Sequence, residues 1–369
     1  MKTKSLLMGL MLLFGTIGFI SCEKDPAPLT QQEADTEITD ANSQVTATTL
    51  EISNTEGYKV QSQLLELGLP FEDEYYKKNS FFSKNRYSLE KVKEPAFNFF
   101  NSKSEGIDFD FEHFLEIDFT ENVGTWTWTN GAWVHTATPN DKIIVKFPYP
   151  LNNSTNNATL TYYDYTTKLI YGESVPTGLK CKIEIGTTEV FSFVFTANIP
   201  SVTEFSSKLD VKFGKFNVIG EESYNASSTS KIEMTHSFTL KNDGTTIYRE
   251  SADYTMTPKE NQDLHIVINA KLRILSLEFR MKMEFDFSQM FGDVMVNPND
   301  IVSMSLYTSD GAKVGTFTFK YNSSYEDWDM YFVYTNGTEV AAQTVFEEIG
   351  YMLDGFWDTI FEQIFYFSK

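Results

Sequence analysis

Three tryptophans and one histidine flank Asn130-Gly131 at a spacing that could build a binding surface. Asn-Gly between two β-prone runs is typical of a type I′ hairpin turn. The register of such a turn places Trp128 opposite Trp133 and Trp126 opposite His135, so the four rings share one face. An exposed face of this kind stacks on sugar rings, with the imidazole adding a hydrogen bond. A covered face would instead be core, the commoner state of large aromatic side chains.

A second set of polar side chains could bind a cation. Acidic and aromatic residues alternate from Ile107 to Phe114, which puts Asp108, Asp110 and Glu112 on one face of a strand. Clustered carboxylates suit calcium, but the segment lacks a glycine-containing calcium loop, and a solvated strand face is the simpler interpretation.

No other residue pattern indicates catalysis. The four histidines do not form a pair with metal-ligand spacing, and the apolar alternation around His236 is typical of a core or boundary position. The sequence also lacks a glycine-rich phosphate loop and a nucleophile elbow. We therefore predict no catalytic residue, no metal and no cofactor. Because the paired carboxylates of a glycosidase come from distant parts of a chain, an enzyme remains an open alternative.

The first residues have the layout of an export signal. Lys2 and Lys4 precede an apolar run from Leu6 to Ile20, which is too short to span a bilayer as a helix. The following Phe19-Ile20-Ser21-Cys22 resembles the lipobox of bacterial lipoproteins. The resemblance implies that residues 1–21 are removed and that acyl chains are attached to Cys22.

The residues after Cys22 resemble a localisation signal. Glu23-Lys24-Asp25 is similar to the Lys-plus-acid signal of Bacteroidota lipoproteins that are exported to the cell surface. The resemblance implies a protein anchored in the outer membrane, facing the exterior, with the periplasmic face as the alternative. Two or three acyl chains would make the membrane a permanent partner.

The amino-acid composition indicates which class of partner is excluded and which fold class is favoured. The formal net charge of −21 over 369 residues repels phosphate backbones, so nucleic acid is not an expected partner. An aromatic content of 15% favours β-structure. Once Cys22 carries lipid, Cys181 has no disulfide partner, and its apolar surroundings predict a buried thiol.

The chain before Thr125 divides into three parts. Residues 22–54 contain no aromatic residue and no evident apolar face, so we predict a flexible tether. Apolar residues from Glu56 to Leu67, followed by Gly68 and Pro70, predict a short helix. That helix belongs to a mixed helical and strand part over residues 55–120.

An antiparallel β domain is predicted for residues 121–369. Four Asn-Gly or Asp-Gly pairs separate β-prone runs. The longest run, Leu264 to Phe287, changes its apolar phase at Ile274-Leu275, which indicates either a bulge in a curved strand or an unmarked break.

Apolar spacings of three and four residues predict a C-terminal amphipathic helix over 341–366. It would cover the apolar face of the sheet or act as a lid over a lipid-sized cavity. The expected fold is mainly β, with long curved antiparallel strands in a sandwich or half-barrel. This outline is similar to that of periplasmic lipoprotein carriers, which have a curled sheet and helices.

Two functions are compatible with these features. The first is a non-catalytic binding lipoprotein that takes an apolar ligand between helix and sheet, or a glycan on the tryptophan face. The alternative is a structural or assembly component of an envelope complex, whose partner is another protein.

Overall fold

The computed structural model describes residues 26–71, 118–170, 173–201, 203–228, 230–259, 263–291, 296–324, 327–346 and 349–350. The export signal and Cys22 lie outside these ranges, as do Asp108, Asp110 and Glu112. The described residues include all four Asn-Gly and Asp-Gly turns of the predicted β domain.

Sixteen strands of the described residues join into a single sheet. They are β1 Gly124–Thr129, β2 Ala132–Thr136, β3 Ile143–Phe147, β4 Ala158–Ile170, β5 Glu173–Ile185, β6 Thr188–Ser201, β7 Glu204–Phe213, β8 Phe216–Ser228, β9 Lys231–Asn242, β10 Thr245–Pro258, β11 Leu264–Ile274, β12 Leu277–Asp286, β13 Val302–Thr308, β14 Lys313–Asn322, β15 Asp327–Tyr334 and β16 Glu339–Ala341. The strands follow chain order from β16 to β3, and β1 and β2 complete the other edge. All neighbours are antiparallel except β1 and β3, and the sheet does not close. The mainly β, antiparallel prediction is therefore confirmed.

The described helical segments are few and mostly short. They are α1 Gln31–Ser53, α2 Glu56–Leu67, α3 Pro298–Ile301 and α4 Ala342–Val345, with a 3₁₀ turn at Phe287–Phe291. The bounds of α2 match the prediction, and Gly68 ends it with a φ of +73°, a conformation that glycine adopts without strain.

Helix α1 corrects the prediction of a flexible tether for residues 22–54, because residues 31–53 are helical. Thr30 and Glu33 form a capping box at its N-terminus. Five of its apolar side chains are buried, at spacings of three, four and seven residues: Ala34, Ile38, Ala41, Val45 and Ile52. This stripe was missed because its members are small or β-branched and are separated by polar residues.

Helix α1 runs across the sheet beside the hairpin ends of the strands. Near its C-terminus, Glu51 pairs with Lys215 at the β7–β8 turn. In the N-terminal part of α1, Glu37 accepts a 2.8 Å hydrogen bond from Ser276 at the β11–β12 turn, and Asp35 accepts a hydrogen bond from the hydroxyl of Tyr334 in β15. A single helix thus covers one face of the sheet from β8 to β15.

That covered face is apolar, and the opposite face is polar. In β9, for example, Met234, Phe238 and Leu240 are buried, whereas the intervening Thr235 and Ser237 are exposed or half-buried. This alternation is expected for a sheet that packs its core on one side.

The run from Leu264 to Phe287 is broken, so of the two alternatives the bulged curved strand was wrong. Strand β11 ends at Ile274 and β12 starts at Leu277, with Leu275 at a φ of +55° in the tight turn between them. The turn was not evident because it contains no glycine, asparagine or proline. It reverses the chain, which changes the phase of the apolar residues.

The described part of the C-terminus enters the core. Helix α4 is followed by Phe346, whose ring packs against Phe279, Phe317 and Phe332 at centroid distances of 5.2–5.7 Å. Asn42 of α1 accepts a 3.2 Å hydrogen bond from the backbone N–H of Ile349, a fully buried residue. The described residues correct the start of the helix predicted over 341–366, because Ala341 belongs to β16 and α4 ends at Val345. Most of the predicted helix lies outside the described residues.

Candidate functional site

The polar face of strands β6 to β13 encloses a groove with a volume of about 1130 Å³. Eight neighbouring strands at about 4.8 Å spacing give it a length of about 34 Å. It lies on the opposite side of the sheet from α1 and α2, so neither helix fills it.

Two rows of side chains, with one residue from each strand, form the floor of the groove. In order from β6 to β13, the first row is Thr196, Lys208, Glu221, Ser237, Ser251, Lys271, Arg280 and Ser305. The second row is Asn198, Ser206, Ser223, Thr235, Asp253, Asn269, Lys282 and Ser303. Both rows line the groove, and neither contains an apolar side chain. Short hydroxyl and amide groups therefore dominate the floor.

Positive charge collects where the groove crosses β10, β11 and β12. We call Arg249, Lys271, Arg273, Arg280 and Lys282 the basic centre. The groove residues of the same three strands include five cations but only two carboxylates, Asp253 and Glu278. The chain as a whole has 30 basic and 51 acidic residues, so the basic centre is opposite in sign to the rest of the protein.

Arg280 and Arg273 are held in place by neighbours. The Nε of Arg280 donates a 2.6 Å bond to Glu278, and its guanidinium lies 4.1 Å from the centroid of the Tyr307 ring. The Nε of Arg273 donates to the backbone carbonyl of Leu275 at 3.2 Å. These contacts restrain both side chains within the groove.

A buried ionisable cluster lies on the apolar side of the same strands. Glu222 of β8 is directly opposite His236 of β9, and Glu250 comes from β10. His236 Nε2 is 3.4 Å from Glu250 Oε1, and His236 Nδ1 is 3.8 Å from Glu222 Oε1. The hydroxyl of Tyr248 donates a 2.8 Å hydrogen bond to the other oxygen of Glu250. We call Glu222, His236 and Glu250 the buried triad.

The two carboxylates of the buried triad favour the protonated form of His236. Burial by itself lowers the pKa of His236, but the carboxylates of Glu222 and Glu250 outweigh it and raise the pKa to about 9. At neutral pH an imidazolium thus lies between two carboxylates inside the apolar core. The interpretation of His236 as a core residue is confirmed, but the two carboxylates beside it were not anticipated.

The tryptophan hairpin has the predicted register, with Trp128 opposite Trp133 and Trp126 opposite His135. The rings do not form one plane, however. Trp126 and His135 stack at 4.2 Å with an angle of 26°, whereas Trp128 and Trp133 meet at 70°. The four rings therefore share a face of the hairpin without lying in one plane.

The three indoles are half-buried and pack against the core. Trp133 Nε1 donates a 3.0 Å hydrogen bond to the carbonyl of Gly68 after α2, and Trp126 Nε1 donates to the carbonyl of Asn122. His135 is exposed and contacts the carbonyl of Val123 at 3.0 Å. The hairpin thus joins the sheet edge to the end of α2, and its role as a binding surface remains a prediction.

Two further residues have ordinary structural roles. Cys181 is fully buried, which raises the pKa of its thiol well above the usual value, as expected for a core cysteine. His265 lies 3.0 Å from Asp286, which also binds Lys259. Lys259 and then His265 lower the pKa of this carboxyl.

Among the described residues, no group of three or more histidine, cysteine, aspartate or glutamate side chains is arranged to hold a metal ion. Within the same ranges, no helix is long and apolar enough to cross a membrane.

Sequence reasoning missed the groove and the basic centre. The only local signal was the run of basic residues at alternate positions in Lys271-Leu272-Arg273 and Arg280-Met281-Lys282. Two such runs on adjacent antiparallel strands must share a face, which the unrecognised turn at Leu275 concealed.

No known protein family, curated protein or solved structure matches this chain.

Proposed function

We propose that the protein is a non-catalytic binding lipoprotein of the outer membrane, and that its groove takes a glycan. The observation that carries this proposal is the groove of about 1130 Å³ with two rows of exclusively polar side chains. Serine, threonine and asparagine side chains both donate and accept hydrogen bonds, which matches the hydroxyl groups of a sugar.

An apolar ligand fits the described residues less well. The apolar face of the sheet is occupied by buried side chains of α1 and α2, including Ile38, Val45, Val60 and Leu64. Placing an acyl chain in the groove would instead remove hydroxyl and charged groups from water without replacing their hydrogen bonds.

We further propose that the sheet curls around the groove as a half-barrel, and that the chain after Phe346 forms an amphipathic helix, up to residue 366, on its apolar side. The curl is supported by the groove, which extends across eight strands. The helix is supported by the burial of Phe346 and Ile349 against the core. In this arrangement the helix covers the sheet and the opposite face stays open to ligand.

Lipid on Cys22 would hold this domain at the membrane surface. The resemblance of Phe19-Ile20-Ser21-Cys22 to a lipobox supports the anchor. The test is fractionation of cells that express the wild type or Cys22→Ala, followed by protease treatment of intact cells. We expect the wild type in the outer membrane and sensitive to protease, and the variant absent from the outer membrane. A variant that still reaches the outer membrane would contradict the anchor, and a protease-resistant wild type would indicate the periplasmic face.

Glycan binding is tested with a variant that fills the groove. Ser251 lies in the first row at the centre of the groove, so Ser251→Trp should obstruct it. Leu169→Trp is the matched control, because Leu169 is 71% exposed outside the groove.

We expect the wild type and Leu169→Trp to bind the same members of a glycan array, and Ser251→Trp to lose them. Equal binding by all three proteins would contradict the groove as the site. If no glycan binds and a protein copurifies in stoichiometric amounts, the alternative role in an envelope complex would replace the proposal.

A further inference from the structure

We propose that the basic centre selects an acidic oligosaccharide, whose sugars carry carboxylate or sulfate groups. This inference rests on the proposed function, since it names the class of glycan that the groove takes. The sequence-based hypotheses concerned a tryptophan face on another part of the sheet, so they did not include this site.

Like charges face each other directly in the basic centre. Arg249 of β10 is in register with Arg273 of β11, and Lys271 of β11 is in register with Arg280 of β12. Glu278 of β12 is opposite Arg273 on its other side, but its carboxylate pairs with Arg280. Like charges at directly opposite positions destabilise an antiparallel sheet. A bound anion between them would relieve the repulsion, so this arrangement is suited to a protein with an anionic ligand.

Three of these cations have no carboxylate partner in the part of the chain that the structure describes. Arg280 pairs with Glu278 and Lys282 with Glu284, each at 2.6 Å. No described carboxylate lies within the 4.0 Å ion-pair distance of Arg249, Lys271 or Arg273. Because a concave surface focuses the field of its charges, these cations attract an anion more strongly than they would on a flat face.

The surrounding residues favour a saccharide as the carrier of that anion. The row that contains Lys271 and Arg280 also contains Ser237, Ser251 and Ser305. If the acidic group of a sugar binds the two cations, the hydroxyl groups of the neighbouring sugars lie over these serines. Guanidinium groups bind planar oxyanions through paired hydrogen bonds, which lysine cannot do.

The net charge of −21 limits how much charge the ligand can carry. A nucleic acid has one phosphate in every residue and would be repelled by the rest of the surface. An oligosaccharide with fewer or more widely spaced charges experiences less repulsion while it still binds the basic centre.

The test is isothermal titration of the full-length lipidated protein in detergent. The ligands are a maltooligosaccharide with a single uronic acid residue, the same maltooligosaccharide with a single sulfate group, and the neutral maltooligosaccharide. The variant is Arg249→Gln with Lys271→Gln, which removes two exposed charges and keeps a polar, unbranched side chain stem at both positions. Lys212→Gln is the matched control, since Lys212 is an exposed lysine on the polar face of β7 outside the groove.

We expect at least one acidic oligosaccharide to bind, and the double variant to weaken its binding at least tenfold. Lys212→Gln should change the Kd less than twofold. The Tm of the double variant should be equal to or above that of the wild type, because the substitutions remove repulsion from Arg273 and Arg280. The acid that binds more tightly identifies the charged group as carboxylate or sulfate.

Other results would show whether only the acidic selectivity is wrong or whether glycan binding itself is wrong. If the neutral oligosaccharide binds as tightly as the acidic ones, or if the double variant binds all of them like the wild type, the acidic selectivity is wrong and glycan binding stands. If the array and the titrations detect no saccharide for the wild type, both proposals are wrong.

Discussion

His236 Nε2 lies 3.4 Å from Glu250 Oε1, and both side chains are only 2% exposed. The contact joins the neighbouring strands β9 and β10 within the apolar side of the sheet. Glu222 approaches the other imidazole nitrogen from β8, so the three central strands share one buried ionic contact. The triad therefore makes the stability of the sheet depend on the charge of His236.

This charge makes the free energy of unfolding dependent on pH. Glu222 and Glu250 raise the pKa of His236 to about 9, whereas an unfolded histidine titrates near 6.5. A raised pKa stabilises the folded state fully below about pH 6.5, and this contribution is lost as the pH rises to about 9. We expect a loss on the order of 3 kcal/mol across that window. Chemical denaturation at half-unit pH steps measures it, and constant stability from pH 6.5 to 9 would contradict the assignment.

Substitutions in the buried triad should separate the contribution of its charges to stability from the contribution of its packing. His236→Leu leaves Glu222 and Glu250 buried without their cation, so we expect a loss of roughly 3–5 kcal/mol at pH 7. Changing all three residues of the buried triad to leucine should recover most of that loss, because well-packed apolar groups often replace a buried ion pair without cost. His135→Gln, at an exposed position, should leave the pH dependence unchanged.

Helix α1 provides a test of whether residues 31–53 belong to the folded domain. Ile38 is 1% exposed and Leu50 is 64% exposed in the same helix. Ile38→Ala should lower the free energy of unfolding by about 2–5 kcal/mol, since it leaves a cavity in the core. Leu50→Ala should change it by less than about 0.5 kcal/mol. Equal, small effects of both substitutions in urea denaturation would restore the tether interpretation.

Gly57 marks the closest approach of α2 to the sheet. A Cβ at this position would clash with the carbonyl of Val190 and lie 2.8 Å from Cβ of Phe213. Alanine favours a helix over glycine by about 1 kcal/mol, but forcing an atom into a packed contact costs roughly 1–3 kcal/mol. We therefore expect Gly57→Ala to destabilise the protein, against its helix propensity. Thermal denaturation checks this, with the exposed Ser62→Ala as the control; a higher Tm for Gly57→Ala would show that the helix does not approach so closely.

Trp133 links the edge hairpin to the end of α2. Trp133→Phe keeps an aromatic ring but removes the hydrogen bond to Gly68, so we expect a loss of about 1 kcal/mol. Trp133→Ala should cost more, because the ring also packs against Trp128 and the core. Val134→Ala, on the opposite face of β2 at a 51% exposed position, should be close to neutral. If Trp133→Ala leaves Tm unchanged and abolishes glycan binding, the tryptophan face is the binding surface instead of the groove.

Several features could be predicted from sequence because short-range chemistry determines them. The turn at Asn130-Gly131 sets its own register, so the pairs Trp128–Trp133 and Trp126–His135 were correct. The bounds of α2 were correct because Gly68 and Pro70 follow an apolar helical stripe. Alternating polarity likewise identified an antiparallel sheet with one apolar face.

Other features depend on contacts between residues that are far apart in sequence. Helix α1 has too few apolar residues to be recognised alone, and its stripe acquires a role only against strands as distant as β15. The buried triad draws one residue from each of three strands, and the floor of the groove takes two from each of eight. The sequence by itself determined that the chain alternates in polarity and turns back repeatedly. Tertiary structure alone decided where α1 lies on the sheet and which side chains of its many strands share the groove and the buried triad, because these contacts follow from the packing of the whole core.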